Sequence, residues 1–391
     1  MHGEIGYTGS GGRNMKHYPG KCIRALLCLA LLSTACPSSN TAQEYTHTTD
    51  FSYHKEPASR TLSMITAGDA LIHKSVYMDA YISGNRYDFT HMLTSIKKFI
   101  AEYDVKFYNQ ESIIGGKGLG VSTYPRFNTP DDFADAMVDA GFTMVSLANN
   151  HTLDRGERAV MYSTKEYWPA QPVMTAGSYD SFDGRNAIRM KEKNGIRYTL
   201  LSYTVLTNGL HAEAGKEYLV NVYNKERVKE DIEKVKPHVD AVLVSMHWGE
   251  EYAHTPSASQ KEIAAYLSSL GANVIIGHHP HVVQPIEFIG DTLVMYSLGN
   301  FLSGQVGIEK NIGAMASFDI VKDTPGKVTI SNVKAHLLYT YYNKNFKNFH
   351  VYPFTELNSS ILPNYLVLYN TYSQIVKRYD RKNSIAVAPL Q

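Results

Sequence analysis

The 391-residue sequence predicts an α/β fold, and three observations carry that prediction. From Thr61 onward, short apolar runs alternate with segments of helical pattern, and each run ends in a polar or glycine-containing stretch. The runs are apolar enough to be buried on both faces, as strands covered by helices are. Hydrophobic residues make up 43% of the chain, which at this length supports a large core in one big domain or two ordinary ones.

Taken in order, the expected strands are Thr61–Ala67, Val105–Asn109, Thr143–Leu147, Ala241–Ser245 and Asn273–Ile276. Helical patterns fall between or after them at Asp131–Ala140, Glu157–Tyr167, Lys225–Val235 and Ser257–Leu270. From Ile286 to Tyr342 the pattern changes to strand-like runs joined by turns such as Gly290-Asp291 and Pro325-Gly326, which reads as a second sheet. A last helical segment near Ile361–Tyr379 is expected to pack on the domain as a cap, so residues 61–342 form the domain and 343–391 a C-terminal helical extension. No internal repeat interrupts this order.

The N-terminal segment reads as an address. Lys16, Lys21 and Arg24 precede the apolar run Ala25–Leu32, and the small residues Ser33, Thr34 and Ala35 lead to Cys36. That run is too short to span a bilayer but suits a signal-peptide core, so residues 1–36 are expected to direct export. Met15 lies nearer the basic cluster than Met1 and is the alternative start. Leu-Leu-Ser-Thr-Ala-Cys resembles a bacterial lipobox, with Ser33 where leucine is usual, so Cys36 is expected to carry a lipid that anchors the protein to the cell envelope. The plainer alternative is an ordinary signal peptide with Cys36 a bystander. Residues 37–60, rich in Ser, Thr, Asn and Gln, read as a solvated tether.

Charge and cysteine usage narrow the chemistry. A formal net charge of +1 provides no global field toward nucleic acid or an anionic membrane, so any anion must bind at a local site. All three cysteines, Cys22, Cys28 and Cys36, precede the folded part, which excludes disulfides and zinc-thiolate sites there. Metals must be held by His, Asn and carboxylates. The 28 tyrosines are spread along the chain and fit half-buried strands, with a carbohydrate or peptide groove as the alternative.

The chemistry-bearing residues cluster just after the expected strands, where α/β folds place their sites. In chain order these are Gly68-Asp69, Asn109-Gln110-Glu111, Asn149-Asn150-His151, His247-Trp248-Gly249 and Gly277-His278-His279-Pro280-His281. Five strand ends thus deliver two carboxylates, an amide with an imidazole, another imidazole and an imidazole pair. Carboxylates and neutral imidazoles are the donors that hold divalent ions. Two such ions roughly 3.5–4 Å apart share a water and clamp the attacking and leaving oxygens of an in-line displacement at phosphorus. A tetrahedral oxyanion is the natural ligand of the charge left over.

The same stretches resemble the metallo-dependent, calcineurin-like phosphatase superfamily and, within it, the CapA or PgsA-type family linked to poly-γ-glutamate capsule synthesis. The resemblance rests on Ile65-Thr66-Ala67-Gly68-Asp69, Asn109-Gln110-Glu111-Ser112, Val145 through Asp154, Met246 through Tyr252, Ile275 through Gln284, and Tyr296 through Phe301. It implies a four-layer fold with two mixed sheets between helices, and a centre of two divalent ions (Mn, Fe or Zn). By resemblance Asp69 would bind the first ion with His281, Glu111 would bridge, and Asn150, His247 and His279 would bind the second. His151 would face the substrate as proton donor or oxyanion stabiliser. The superfamily's first motif is Asp-x-His, but Leu71 stands two residues after Asp69, so the first ion lacks one imidazole.

Around these six ligands the sequence leaves choices open. His73 could replace the missing imidazole or simply cap a helix. His278, next to two candidate ligands on an extended segment, is expected to point the other way and at most to support the ligands from behind. Asp154 could orient His151 or cap a helix, Glu250 and Glu251 could contact substrate or lie in a solvated loop, and Asn300 could line the site or only form a turn. Two functions compete: a metal-dependent hydrolase or transferase for a phosphoryl or γ-glutamyl group, and a non-catalytic subunit that binds an anionic polymer and assists its synthesis or export. In either case the resemblance implies partners among the components of a membrane polyglutamate synthase.

Overall fold

The computed structural model describes residues 59–390; the export segment, Cys36 and most of the expected tether lie outside the described residues. Two mixed sheets stack face to face. The first runs in the order 350–353, 328–341, 312–322, 60–71, 105–110, 144–146, 174–176, with Asn300–Ser303 added beside the end of Arg60–Leu71 and Ala386–Val387 beside Val328–Tyr341. The second runs 286–289, 292–295, 274–278, 241–247, 196–204, 191–193.

The alternation of side chains along a strand explains the layering. On Arg60–Leu71, Leu62 and Met64 point toward the second sheet and join Leu200, Leu243, Val274 and Ile276 in the core between the sheets. Ile65 and Ala67 point the other way, into a cluster with Ile96, Phe133 and Met137 from the helices Thr94–Phe99 and Asp131–Asp139. The outer face of the second sheet is covered by Val228 and Ile232 of helix Lys225–Val235 and by Ile263 and Leu267 of helix Ala258–Leu270. The result is helices, sheet, sheet, helices. Ser257 and Gln260 close the start of Ala258–Leu270 with a reciprocal capping box, and Gly271 ends it at φ +93°.

Three expectations are corrected. Residues 286–342 do not form a sheet of their own: Ile286–Ile289 and Thr292–Met295 extend the second sheet, while 300–303, 312–322 and 328–341 complete the first. The pattern of strand-like runs was visible, but which sheet each joined depended on long-range pairing such as Met64 with Phe318. Residues 343–391 are more than a helical extension, because His350–Pro353 and Ala386–Val387 pair with Val328–Tyr341 in the same sheet. Helix Tyr365–Lys377 does pack inward, with Tyr372, Ile375 and Val376 in the inter-sheet core. The helix expected over Glu157–Tyr167 is a short α-helix, Gly156–Met161, that widens into a π-helical turn at Tyr162–Tyr167. Among the described residues no helix is long and apolar enough to cross a membrane.

Candidate metal centre

The strands that carry the expected ligands run parallel within each sheet, so their C-terminal ends meet at one edge of the sandwich. Asp69 lies inside its strand rather than after it, at a register shift. The shift has a steric origin. A Cβ on Gly68 would stand 1.9 Å from the Gly299 carbonyl oxygen, so only glycine lets the 299 backbone approach closely enough to accept the Asp69 N–H at 2.9 Å.

Asp69 is fully buried and surrounded by donors. Asn109 Nδ2 donates to Oδ1 at 2.9 Å and His278 Nδ1 stands 3.1 Å from the same oxygen. The His279 backbone N–H donates to Oδ2 at 3.1 Å, and His281 Nδ1 is 3.3 Å from Oδ2. Burial raises the Asp69 pKa, but the hydrogen bonds from His278 and His281 outweigh it and hold the carboxyl well below its ordinary value.

Glu111 has the opposite surroundings. It is fully buried, yet neither carboxylate oxygen has a hydrogen-bond partner among the described residues. Its Oε1 lies 3.6 Å from His247 Nε2 and 3.6 Å from His281 Nε2. Burial pushes its pKa well above the ordinary value; the His281 imidazolium opposes that push and Asp69 adds to it. Buried charges without donors are rare because each costs several kcal/mol, of order 1–3 or more. What this carboxylate lacks is a hydrogen-bond donor on either oxygen, a setting that a divalent cation fits. Donor atoms of Glu111, His279 and His281 lie within 4.8 Å of one another, all three residues buried, and this fits divalent metal binding.

The imidazoles are set by their neighbours. His247 is held well below its ordinary pKa by burial and then by His279, and burial with the nearby His281 brings His279 to about 4, so both are neutral as ligands must be. Burial alone would lower His281, but Glu111 and Asp69 raise it to about 9. The Asn300 amide donates to Gln305 Oε1 and the Lys310 carbonyl, which turns its Oδ1 toward His281 Nδ1 at 3.0 Å. Asn150 is oriented in the same way: its Nδ2 donates to Asn208 at 3.3 Å and its Oδ1 faces His247 Nε2 at 3.0 Å. His279 and His281 adopt φ values of +97° and +57°, a left-handed backbone that costs non-glycine residues about 1–3 kcal/mol and clusters at functional sites.

His278 supports the ligands from behind: it ends the strand Val274–His278 on the face that Val274 and Ile276 turn to the inter-sheet core, and its Nδ1 stands 3.1 Å from Asp69 Oδ1. His73 lies apart: it is the N-cap residue of helix Lys74–Ala80, and its Nδ1 bonds the Leu71 carbonyl at 3.0 Å. Asp154 orients His151, with Oδ2 2.7 Å from His151 Nδ1 and also accepting the Phe127 N–H; the following helix is capped by Arg155. Glu250 is exposed, whereas Glu251 borders a cavity of about 410 Å³ that His151, Asn150, Asp154, Asn208 and Arg126 also line. Asn109, Asn208 and Arg126 were not singled out from sequence. Asn109 stood in a quoted motif, and the Asn208-Gly209 turn at φ +52° was the available signal for the second.

The PGA biosynthesis protein CapA of Bacillus subtilis (strain 168) is 29% identical over 208 residues, 53% of this chain and 55% of that protein. The capsule biosynthesis protein CapA of Bacillus anthracis is 28% identical over 263 residues, 64% and 62% of the two chains. The matched region therefore spans less than two thirds of either relative. The solved structure of Haemophilus influenzae NAD nucleotidase (NadN) aligns over 85% of this chain and 65% of its own at 13% identity, with a TM-score of 0.43. The bacterial capsule synthesis protein PGA_cap family matches residues 63–305, the span that holds every ligand described above, and the chain belongs to that family.

Proposed function

We propose that this protein is a metal-dependent hydrolase or transferase of the cell envelope that acts on a phosphoryl or γ-glutamyl group during synthesis or processing of a poly-γ-glutamate capsule. The observation that carries the reading is Glu111, with both oxygens buried and unpartnered among imidazoles. Family membership and the names of the two Bacillus relatives support the process. Glu111, His279 and His281, with His247 and Asn150 beside them, would hold a divalent ion, which would supply Lewis acidity and a water of lowered pKa.

The chain's own residues do the rest. Asp154 accepts a hydrogen bond from His151 Nδ1–H, which leaves Nε2, without a hydrogen bond among the described residues, as the nitrogen that gives a proton to the leaving group when the ring is protonated. The same carboxylate stabilises the imidazolium. Arg126 borders the cavity with its guanidinium free of protein partners among the described residues, suited to a carboxylate or phosphate oxygen of the substrate. A second cavity of about 440 Å³ shares Arg126, Asp154 and Leu210 with the first and gives room for chain flanking the reacting group. Export and lipid anchoring through Cys36 belong to this proposal, as do partners in a membrane synthase.

The test is turnover. Purified protein stripped with chelator and reloaded with Mn²⁺ or Zn²⁺ is screened on phosphomonoesters, phosphodiesters and γ-glutamyl peptides. Metal-dependent turnover of one class is expected. Polymer binding without turnover of any class would replace the enzyme with a binding subunit.

A further inference from the structure

Asp69 is the residue that should begin a second metal site, and its surroundings argue against that role. An ionised carboxylate offers about four lone-pair positions. Four donors address Asp69: the Asn109 amide, the His278 ring, the His279 backbone and the His281 ring. Protein donors thus take up three of its lone-pair positions outright, and the His281 N–H is shared between Asp69 and Asn300 at the fourth.

The tautomer of His281 closes the other route. Both neighbours of its Nδ1, Asn300 Oδ1 and Asp69 Oδ2, are acceptors, and the Asn300 amide cannot be turned over because its Nδ2 already donates to two oxygens. Nδ1 therefore carries hydrogen, and when the ring gives up its other proton to act as a ligand its lone pair is on Nε2, facing Glu111. Leu71 occupies the position of the imidazole that an Asp-x-His motif would add. On the other side every donor converges: Glu111 with two unpartnered oxygens, His281 Nε2, His279, and the His247 and Asn150 pair oriented by Asn208. Those residues are enough for one complete coordination shell.

We propose that this chain holds a single divalent ion on Glu111, His279 and His281, with His247 and Asn150 completing the shell, and that Asp69 is a buried anchor that orients the histidines without binding metal. In this arrangement Asp69 is a positioning residue. Its negative charge holds His281 in the tautomer that presents Nε2, and its grip on the 279 backbone holds the left-handed turn that aims His279. The inference rests on the metal-centre reading above, and its failure is separable from the failure of that reading.

The experiment is Mn²⁺ stoichiometry and electron paramagnetic resonance on the purified full chain, equilibrated with excess Mn²⁺ and passed through a desalting column. About one equivalent with the six-line signal of an isolated ion is expected. Two equivalents with an exchange-coupled multiline signal would overturn the single-ion arrangement and leave the metal centre standing; no retained Mn²⁺ would overturn both. Asp69→Asn gives a second reading. The single-ion arrangement keeps the stoichiometry at one with affinity weakened about 10–100-fold, as for loss of a residue that orients a ligand. A fall from two equivalents to one would make Asp69 a ligand. Should that variant fail to fold, the wild-type count and signal decide alone.

Discussion

Replacing Glu111 with glutamine keeps the side-chain volume and removes one charge, and its effect on stability has opposite signs with and without metal. In the metal-free protein the carboxylate is buried with no donor on either oxygen. A buried polar group left unpaired costs about 1–3 kcal/mol, and a charged one more. The glutamine amide is neutral, and its oxygen can face the same His247 and His281 Nε2 atoms that stand 3.6 Å from Oε1. Metal-free Glu111→Gln is therefore expected to be at least as stable as metal-free wild type, unlike most changes to a fully buried residue.

With metal the order reverses. At a free Mn²⁺ concentration about 100 times the dissociation constant, binding to the folded state alone adds about 2.7 kcal/mol. For domains larger than about 150 residues each kcal/mol moves Tm by roughly 2–4 °C, so wild type should gain on the order of 5 °C or more. If losing the carboxylate weakens binding about 100-fold, the same Mn²⁺ adds only about 0.4 kcal/mol to the variant, or roughly 1 °C. Scanning calorimetry of both proteins, each in chelator and in Mn²⁺, reads the four midpoints. An equal Mn²⁺ shift in the two proteins would refute the assignment of Glu111 as a ligand. A large loss of stability in the metal-free variant would refute the claim that its carboxylate is uncompensated.

Three further outcomes are expected. His151→Asn keeps near-normal metal content by elemental analysis but loses about 10²- to 10⁴-fold in turnover on the substrate class identified; metal lost in parallel would make His151 a ligand. His336 is held near pKa 4 by burial and then by Lys334, while its Nε2 bonds Ser317 Oγ at 2.9 Å. Between the unfolded value of 6.5 and about 4 the unfolded chain takes a proton that the folded chain refuses, so this residue lowers stability by about 1.4 kcal/mol per pH unit as pH falls through that window. His336→Gln should flatten the pH dependence of urea unfolding by that one proton, and superimposable slopes would remove His336 as the cause. Cys36→Ser should release into the soluble fraction a protein that otherwise follows membranes on cell fractionation; a wild type that is itself soluble would end the lipid-anchor proposal.

The sequence by itself determined the α/β rhythm, the positions of five strands and three helices to within a few residues, and a set of metal-ligand residue types at consecutive strand ends. These were legible because they are local. Burial on both faces writes apolar runs, helical spacing writes its own period, and Asn150-His151 or His279-Pro280-His281 stand out wherever the chain goes. What each side chain touches was decided only by the tertiary structure. Asp69 and Glu111 are both acidic residues at the ends of neighbouring parallel strands, and nothing in their local sequence separates them. One is saturated by Asn109, His278, His279 and His281, whose donors come from two different sheets; the other is left bare among imidazoles. His279 illustrates the same limit, because its aim depends on a left-handed backbone at φ +97°, which no residue preference announces. The division of residues 286–342 between the two sheets was hidden for a related reason: strand pairing is a contact between distant segments, and a run of β-forming residues specifies its face but not its neighbour.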